Sequence, residues 1–404
     1  ELFFFIGLAC TPLNDSLVVI SFAVFLFLGL ISNLNGLNKE YDPLIITTLF
    51  FISIMSLIYT IDIDYSFDKI FRNLAFILVP IGFYLTRRKN IDLKKGKLVF
   101  LIAWVIFCLF SLGSLLYYWL NFPQQRQYYN FIQDSMYHNY MPHDAMYICT
   151  ALIFLLFSFK NLNQYVKLIV STLFLFVLIL FGVRLGIFQF LLIILVYIFK
   201  YRNKVINIKN IVILLIISIL SFFILHSNSY TKDKFYSSLN SINIEVGKNK
   251  MTEISNDYHR INFRLEIWPL AYELIKEKPF IGYGAGTEQD LLYELSQKRD
   301  LNIIRVHAHN DFLSIAIQYG LTGLFTFLFV LLYIFYKATS NLEHTLIFII
   351  IILMSMFTHS YLHVQQGIFY FVIFSSIILK FSHKKINTTN LKKYIKISSH
   401  SSEN

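Results

Sequence analysis

Apolar runs separated by short polar connectors fill this chain, and their length limits what it can fold into more than any other feature. Crossing the hydrocarbon core of a bilayer as a helix takes about 20 residues, with roughly 17 to 25 usual. Runs of that kind stand at 17–34, 43–61, 69–86, 98–120, 145–159, 165–183, 185–200, 211–226, 311–336, 343–361 and 367–381. A shorter run, 2–11, stops before Pro12 and reads as a trimmed first helix rather than a signal peptide, because no basic segment precedes it. About twelve membrane helices are expected. Composition supports this: 56% of the 404 residues are hydrophobic and 15% charged, against a soluble average near ~25% charged. So few charges cannot clothe a soluble surface. The expected fold class is an all-α integral membrane protein.

The net charge of +11 would suit a nucleic-acid partner only if the basic residues formed one patch. They do not. When successive connectors are placed on alternate sides, one side collects 20 basic residues and six acids, from Lys39 through the Arg87–Lys97 connector to the Lys-rich tail. The short connectors opposite carry four basic residues and seven acids, and the long segment 227–308 carries eleven of each. The basic excess is therefore a topology signal: it marks the cytoplasmic side and places 227–308 outside. Nucleic acid is not expected as a partner.

The organisation expected is membrane helices over 1–226, an outer loop of 82 residues at 227–308, further membrane helices over 309–381 and a polar tail at 382–404. A second outer connector, 121–144, carries His138 and His143. Cys10, Cys108 and Cys149 lie in or beside apolar runs without CxxC spacing, as packing residues do.

Ionisable residues at membrane depth are costly and therefore candidates for function. Arg184 sits in Phe181-Gly182-Val183-Arg184-Leu185-Gly186 at an outer helix end. It reads either as an arginine snorkelling from a tight turn or as a guanidinium facing a cavity, suited to phosphate. Arg260 and Arg264 stand four apart, so a helix there would put both on one face, able to clamp a diphosphate. An ordinary amphipathic surface helix explains that spacing equally, and Pro269 predicts a kink or restart at Trp268.

The run Pro279-Phe280-Ile281-Gly282-Tyr283-Gly284-Ala285-Gly286-Thr287 precedes Glu288 and Asp290. Acids in a first helical turn repel phosphate, so a structural turn with a Thr287–Asp290 capping box is the better reading. His307 and His309 flank Ala308 before an apolar run. A histidine suits general-base work near neutral pH. Metal binding by the pair lacks a third ligand at useful spacing. Asp62-Ile63-Asp64 is a DxD pair, read as a solvated turn.

These parts stand in a recognisable order. His309-Asn310, nine residues, Gly320, two residues and Gly323 resemble the H-[NSQ]-x9-G-x-x-G signature of the O-antigen ligase family. The upstream Arg-x3-Arg-x3-Trp and Pro-Phe-x-Gly-Tyr-Gly-x-Gly runs, and Arg184, are similar to that family as well. The resemblance implies a GT-C-like bundle in the bacterial inner membrane with its active site on the periplasmic side. It also implies a glycan donor on undecaprenyl diphosphate, an acceptor saccharide such as the lipid A core, and neither metal nor other cofactor. By matching position, His309 would be the catalytic base, and Arg184, Arg260, Arg264 and Asn310 would bind substrate. His307 has no place in the motif.

The same architecture serves O-antigen, capsule and exopolysaccharide polymerases, which use a lipid-linked acceptor. The compact signature favours the ligase. A polysaccharide flippase or transporter is the reading from another class, but such proteins show repeat symmetry rather than one long outer loop.

Overall fold

The computed structural model describes residues 2–12, 15–32, 41–87, 91–122, 141–205, 259–301 and 305–382. The expected span 211–226, His138, the first part of the long loop and the tail beyond Ser382 lie outside them. No strand occurs among the described residues, and the secondary structure is helical throughout.

In chain order the helices are α1 (Leu2–Cys10), α2 (Asp15–Ser32), α3 (Thr47–Met55, extended by a 3-10 turn at each end), α4 (Ile63–Asn73) and α5 (Ala75–Leu85). They are followed by α6 (Leu93–Asn121), α7 (Met141–Ile153, continued by a π-turn to Ser158), α8 (Gln164–Phe181) and α9 (Arg184–Val205). The last group is α10 (His259–Glu277), α11 (Glu288–Lys298), α12 (Asp311–Ala338), α13 (Leu342–Thr358, with a π-turn at Ile347–Leu353) and α14 (Gln365–Phe381). Five of these are long and apolar enough to cross a membrane: α6, α7 with its π-turn, α8, α9 up to Tyr201, and α12.

The expected span at 69–86 is two helices. α4 is amphipathic, capped by Asp62 through the Tyr65 amide at 3.0 Å, and buries Ser66, Lys69, Ile70 and Asn73. α5 begins after Leu74 with only 11 residues. Apolar content alone hid the boundary, because Ile70 and Phe71 extend the run across it. Asp62 thus works as a helix cap. The helix restart expected at Trp268 does not occur: α10 runs through Pro269. A proline removes one amide donor, and the turns on either side carry the helix across that gap.

Most of the helices pack into one apolar core, in which Phe4, Phe22, Phe25 and Phe83 meet edge to face or tilted. Trp104 lies parallel to Tyr147 at 5.1 Å. Gly186 lets α9 approach α7 closely, since a Cβ there would come 2.7 Å from that of Ala145. The two ends of the bundle differ chemically. At one end Lys97 pairs with Glu343, Lys337 with Asp42, and Lys380 donates to the Phe83 and Thr86 carbonyls. These ionisable residues all belong to the basic side of the sequence topology. The other end gathers the starts of α7, α9, α12 and α14 and holds the candidate site.

One break in α12 connects the helix bundle to the segment that precedes α11. Gly320 has φ 64 and ψ −167, a combination open almost only to glycine. In a regular helix Leu321 and Thr322 would donate to Ile317 and Gln318. Here Leu321 donates to Pro279 (2.7 Å) and Thr322 to Phe280 (3.2 Å), while the Ile317 and Gln318 carbonyls accept from Tyr283 (3.0 Å) and Gly284 (2.8 Å). Residues 279–284 are thus inserted into the helix break. A Cβ on Gly320 would lie 2.3 Å from the Phe280 carbonyl oxygen.

Gly320→Ala should therefore cost at least about 1–3 kcal/mol from backbone strain alone, with the clash added. Gly113→Ala, where a Cβ meets nothing within 4 Å, should leave stability within about 0.5 kcal/mol. Thermal unfolding of the detergent-purified variants checks both; equal melting shifts would contradict the assignment.

Candidate active site at the start of α12

The inserted segment is a structural turn. Its amides are bonded within the protein: Gly282 to Lys278, Ala285 to Ser56 Oγ (3.0 Å) and Gly286 to Gln318 Oε1 (2.8 Å). Those donors are not available to cradle phosphate. The capping box expected at Thr287 does not form. Thr287 is already helical and its hydroxyl donates back to Gly284, while Asp290 pairs with Arg305.

Beyond this turn lies His309, half-buried, with φ 51. A left-handed conformation is uncommon for a residue with a side chain, and the flanking bonds explain why it persists. The Ala308 amide donates to Glu288 Oε1 (2.8 Å), and its carbonyl accepts from Trp268 Nε1 of α10 (2.9 Å). On the other side Asn310 caps α12, accepting from Phe312 (2.9 Å) and Leu313 (3.2 Å). The His309 ring faces His359 at 6.0 Å, nearly perpendicular.

The turn after α13 is the second wall. Buried Asp311 accepts from the amides of Tyr361 and Leu362, each at 3.0 Å. Arg264 donates through Nη2 to the Thr358 carbonyl at 2.7 Å, next to His359. Its Nε is buried and has no hydrogen-bond partner among the described residues. Arg264 and His309 therefore both meet the same turn. Arg260 falls in the first turn of α10, and its side chain lies outside the described residues. Arg184 is exposed and opens α9. It stands at this same end of the bundle, where Gly186 packs on Ala145 and the His143 ring lies 4.8 Å from Tyr361.

Beneath His309 is a polar cluster that sequence spacing did not indicate. Glu288, expected to serve the dipole of α11, turns inward and is only 1% exposed. Its carboxylate accepts from Ala308, from Ser314 Oγ (2.7 Å), from Gln318 Nε2 (3.3 Å) and from His363 Nε2 (2.8 Å). His307 Nδ1 lies 3.6 Å away. The two histidines of the HxH pair thus part company: His307 stacks on His363 with ring centroids 3.7 Å apart, while His309 points to His359.

Glu288, His307 and His363 hold ligand-type atoms within 4.8 Å of one another, the arrangement a divalent cation could use. His363 is 54 positions away from His309, so no local pattern joins them. The available signal was its place on a polar outer turn between two apolar runs.

Burial works against charge on Glu288, but the histidines facing it and their hydrogen bonds hold its carboxyl well below the usual carboxylate range. Burial, with neighbouring His307 and Lys69, pulls His363 down to about 3. The pair is read as an ionised carboxylate and a neutral imidazole at neutral pH. Both folded-state values are depressed, so both groups cost stability as the medium becomes acid. For His363 the loss begins below its ordinary 6.5 and continues towards 3. The melting temperature in detergent should fall between pH 7.5 and pH 5, and His363→Gln should flatten that slope. An unchanged slope would remove His363 as the source.

Residues 169–328 match a family model described as O-antigen ligase. That stretch contains Arg184, Arg264, His309, the inserted turn and both glycines of the signature. A protein of Rickettsia conorii named "Putative polysaccharide ligase" is 36% identical over 86 residues, which is 20% of this chain and 21% of the relative. The aligned part thus spans about a fifth of that relative. The helix-rich chain is thus similar to O-antigen ligases over residues 169–328, the stretch that contains the signature.

Proposed function

We propose that the protein transfers a glycan from undecaprenyl diphosphate to an acceptor sugar, with the lipid A core as acceptor. In this reading about twelve helices span the bacterial inner membrane and the reaction occurs on the periplasmic face. His309 takes the proton of the acceptor hydroxyl as that oxygen attacks the anomeric carbon of the donor. The bond from that carbon to the diphosphate breaks, and its electron pair leaves on the phosphate oxygen. Arg264, with Arg184 and Arg260, meets the charge that develops there, which is preorganised electrostatic stabilisation. Asn310 contacts substrate through Nδ2, which is held only at 3.4 Å by the Phe357 carbonyl. The imidazolium then returns its proton to water, and no step requires a metal.

The observation that carries this reading is the unused Nε donor of Arg264 beside the turn that faces His309. A guanidinium with a buried, unmet Nε donor suits an anionic ligand, and a histidine at the same turn suits a hydroxyl to be deprotonated.

Purified protein should transfer glycan from a lipid-linked donor to lipid A core. Growth of the glycan on its lipid carrier would make it a polymerase, and turnover of neither acceptor would defeat both readings. His309→Ala should lower kcat by about 10²–10⁴-fold. Arg264→Lys should lose at least about tenfold, because an ammonium cannot reproduce the planar fork; full activity in that variant would reduce Arg264 to an anchor.

A further inference from the structure

We propose that Glu288 is a positioning residue for His309, and that Lys69 of α4 governs it by fixing the tautomer of His363. The proposal rests on His309 being the base.

The two ring nitrogens of His363 face different partners. Lys69 Nζ, buried, lies 3.3 Å from Nδ1 and 3.2 Å from the Leu362 carbonyl. An ammonium has only hydrogens to offer, so Nδ1 accepts and the ring proton sits on Nε2. From there it is donated to Glu288 at 2.8 Å. His307 is fixed in a related way. Tyr65 donates to Gln289 Oε1 (3.4 Å), which turns the Gln289 amide nitrogen towards His307 Nε2 (2.8 Å). His307 Nε2 therefore accepts, and its proton sits on Nδ1, facing Glu288.

This assignment decides between two uses of the Glu288, His307 and His363 cluster. A metal would need bare nitrogens at His307 Nδ1 and His363 Nε2. Metal-ligating histidines donate their other nitrogen to an acceptor, but here those outer partners, Lys69 and the Gln289 amide, are themselves donors. The cluster is consequently filled by protons. Every described partner of the Glu288 carboxylate is a donor, and one of them, the Ala308 amide at 2.8 Å, belongs to the turn that carries His309.

One carboxylate oxygen thus holds the Ala308 amide on one side of His309 and the Ser314 hydroxyl on the other. His309 occupies its left-handed conformation between those two points. Lys69 sits on a separate outer helix and completes the chain from α4 through His363 and Glu288 to Ala308. Each link is a hydrogen bond with one permitted direction.

The directionality gives a test that simple destabilisation would not imitate. In Glu288→Gln the new amide hydrogens confront the Nε2 proton of His363, which cannot move to Nδ1 while Lys69 donates there. In the double variant Glu288→Gln/Lys69→Met that obstacle is gone: His363 changes tautomer, and its Nε2 accepts from the amide. Transfer kinetics on the purified full chain should show Glu288→Gln losing about tenfold to a hundredfold in kcat with KM for the lipid-linked donor little changed. The double variant should recover most of that loss. Losses that simply multiply, or wild-type kcat in Glu288→Gln, would overturn the proposal.

Histidine ¹⁵N NMR of the unaltered protein needs no variant to fold. A neutral His363 carrying its proton on Nε2 is expected, identified by its absence in His363→Gln. The opposite tautomer, or zinc bound stoichiometrically and lost with His363, would overturn the proposal as well. His309→Ala separates the two levels. If it retains full transfer activity, the function assigned to His309 fails, while the NMR result still decides the Lys69–His363–Glu288 chain.

Discussion

The insertion of residues 279–284 into the break of α12 is the contact on which the site depends. A helix that opens at one glycine exposes two carbonyls and two amides, and in an apolar surrounding each unmet group costs several kcal/mol. The turn supplies all four partners with backbone alone. This fixes the register of the outer segment relative to the membrane helix, because a shift of one residue would leave a donor facing a donor. Everything downstream inherits that register. Glu288 begins the next helix four residues after Gly284, and its inward side chain then meets Ala308, Ser314 and His363.

The second constraint is electrostatic. Glu288 and Asp311 are each about 1% exposed, and two buried carboxylates are tolerable only when donors and countercharge surround them. Asp311 is met by two backbone amides of the 360–363 turn, and Glu288 by an amide, a hydroxyl, a carboxamide and an imidazole. Lys69 is the nearby cation, held within the same cluster. The polar interior thus draws on α4, α11, α12 and the turn before α14. Segments far apart in sequence are joined by satisfying one another's hydrogen bonds as well as by apolar contact.

Much of this was legible in the chain itself, and the limits are physical. Apolar run length located most of the helices because lipid enforces it directly. It misread 69–86, since a run of hydrophobic residues does not reveal that Leu74 separates an amphipathic helix from an apolar one. His309, Gly320 and Gly323 stood out because they lie within one local pattern. Gly320 proves to be a position where only glycine fits. The cluster of Glu288, His363 and Lys69 was not visible, because distant segments supply its members. Asp62, Thr287 and the glycine run show the converse: short patterns suggestive of chemistry whose atoms are used to hold turns. Arg260 and the expected span 211–226 lie outside the described residues.

The bent helix also has a chronology. When α12 first emerges during synthesis, it can satisfy itself as a straight helix, with Leu321 and Thr322 bonded to the carbonyls four residues before them. The turn at 279–284 precedes it in the chain but lies on the other side of the Ala308–Asn310 corner, so its docking and that corner depend on each other. Docking exchanges two helix bonds for four bonds shared with the turn. The bend and the seating of the 279–284 segment are therefore one coupled arrangement, which the helix cannot hold alone. A chain whose outer segment is delayed would hold a complete set of membrane helices and still lack a finished site.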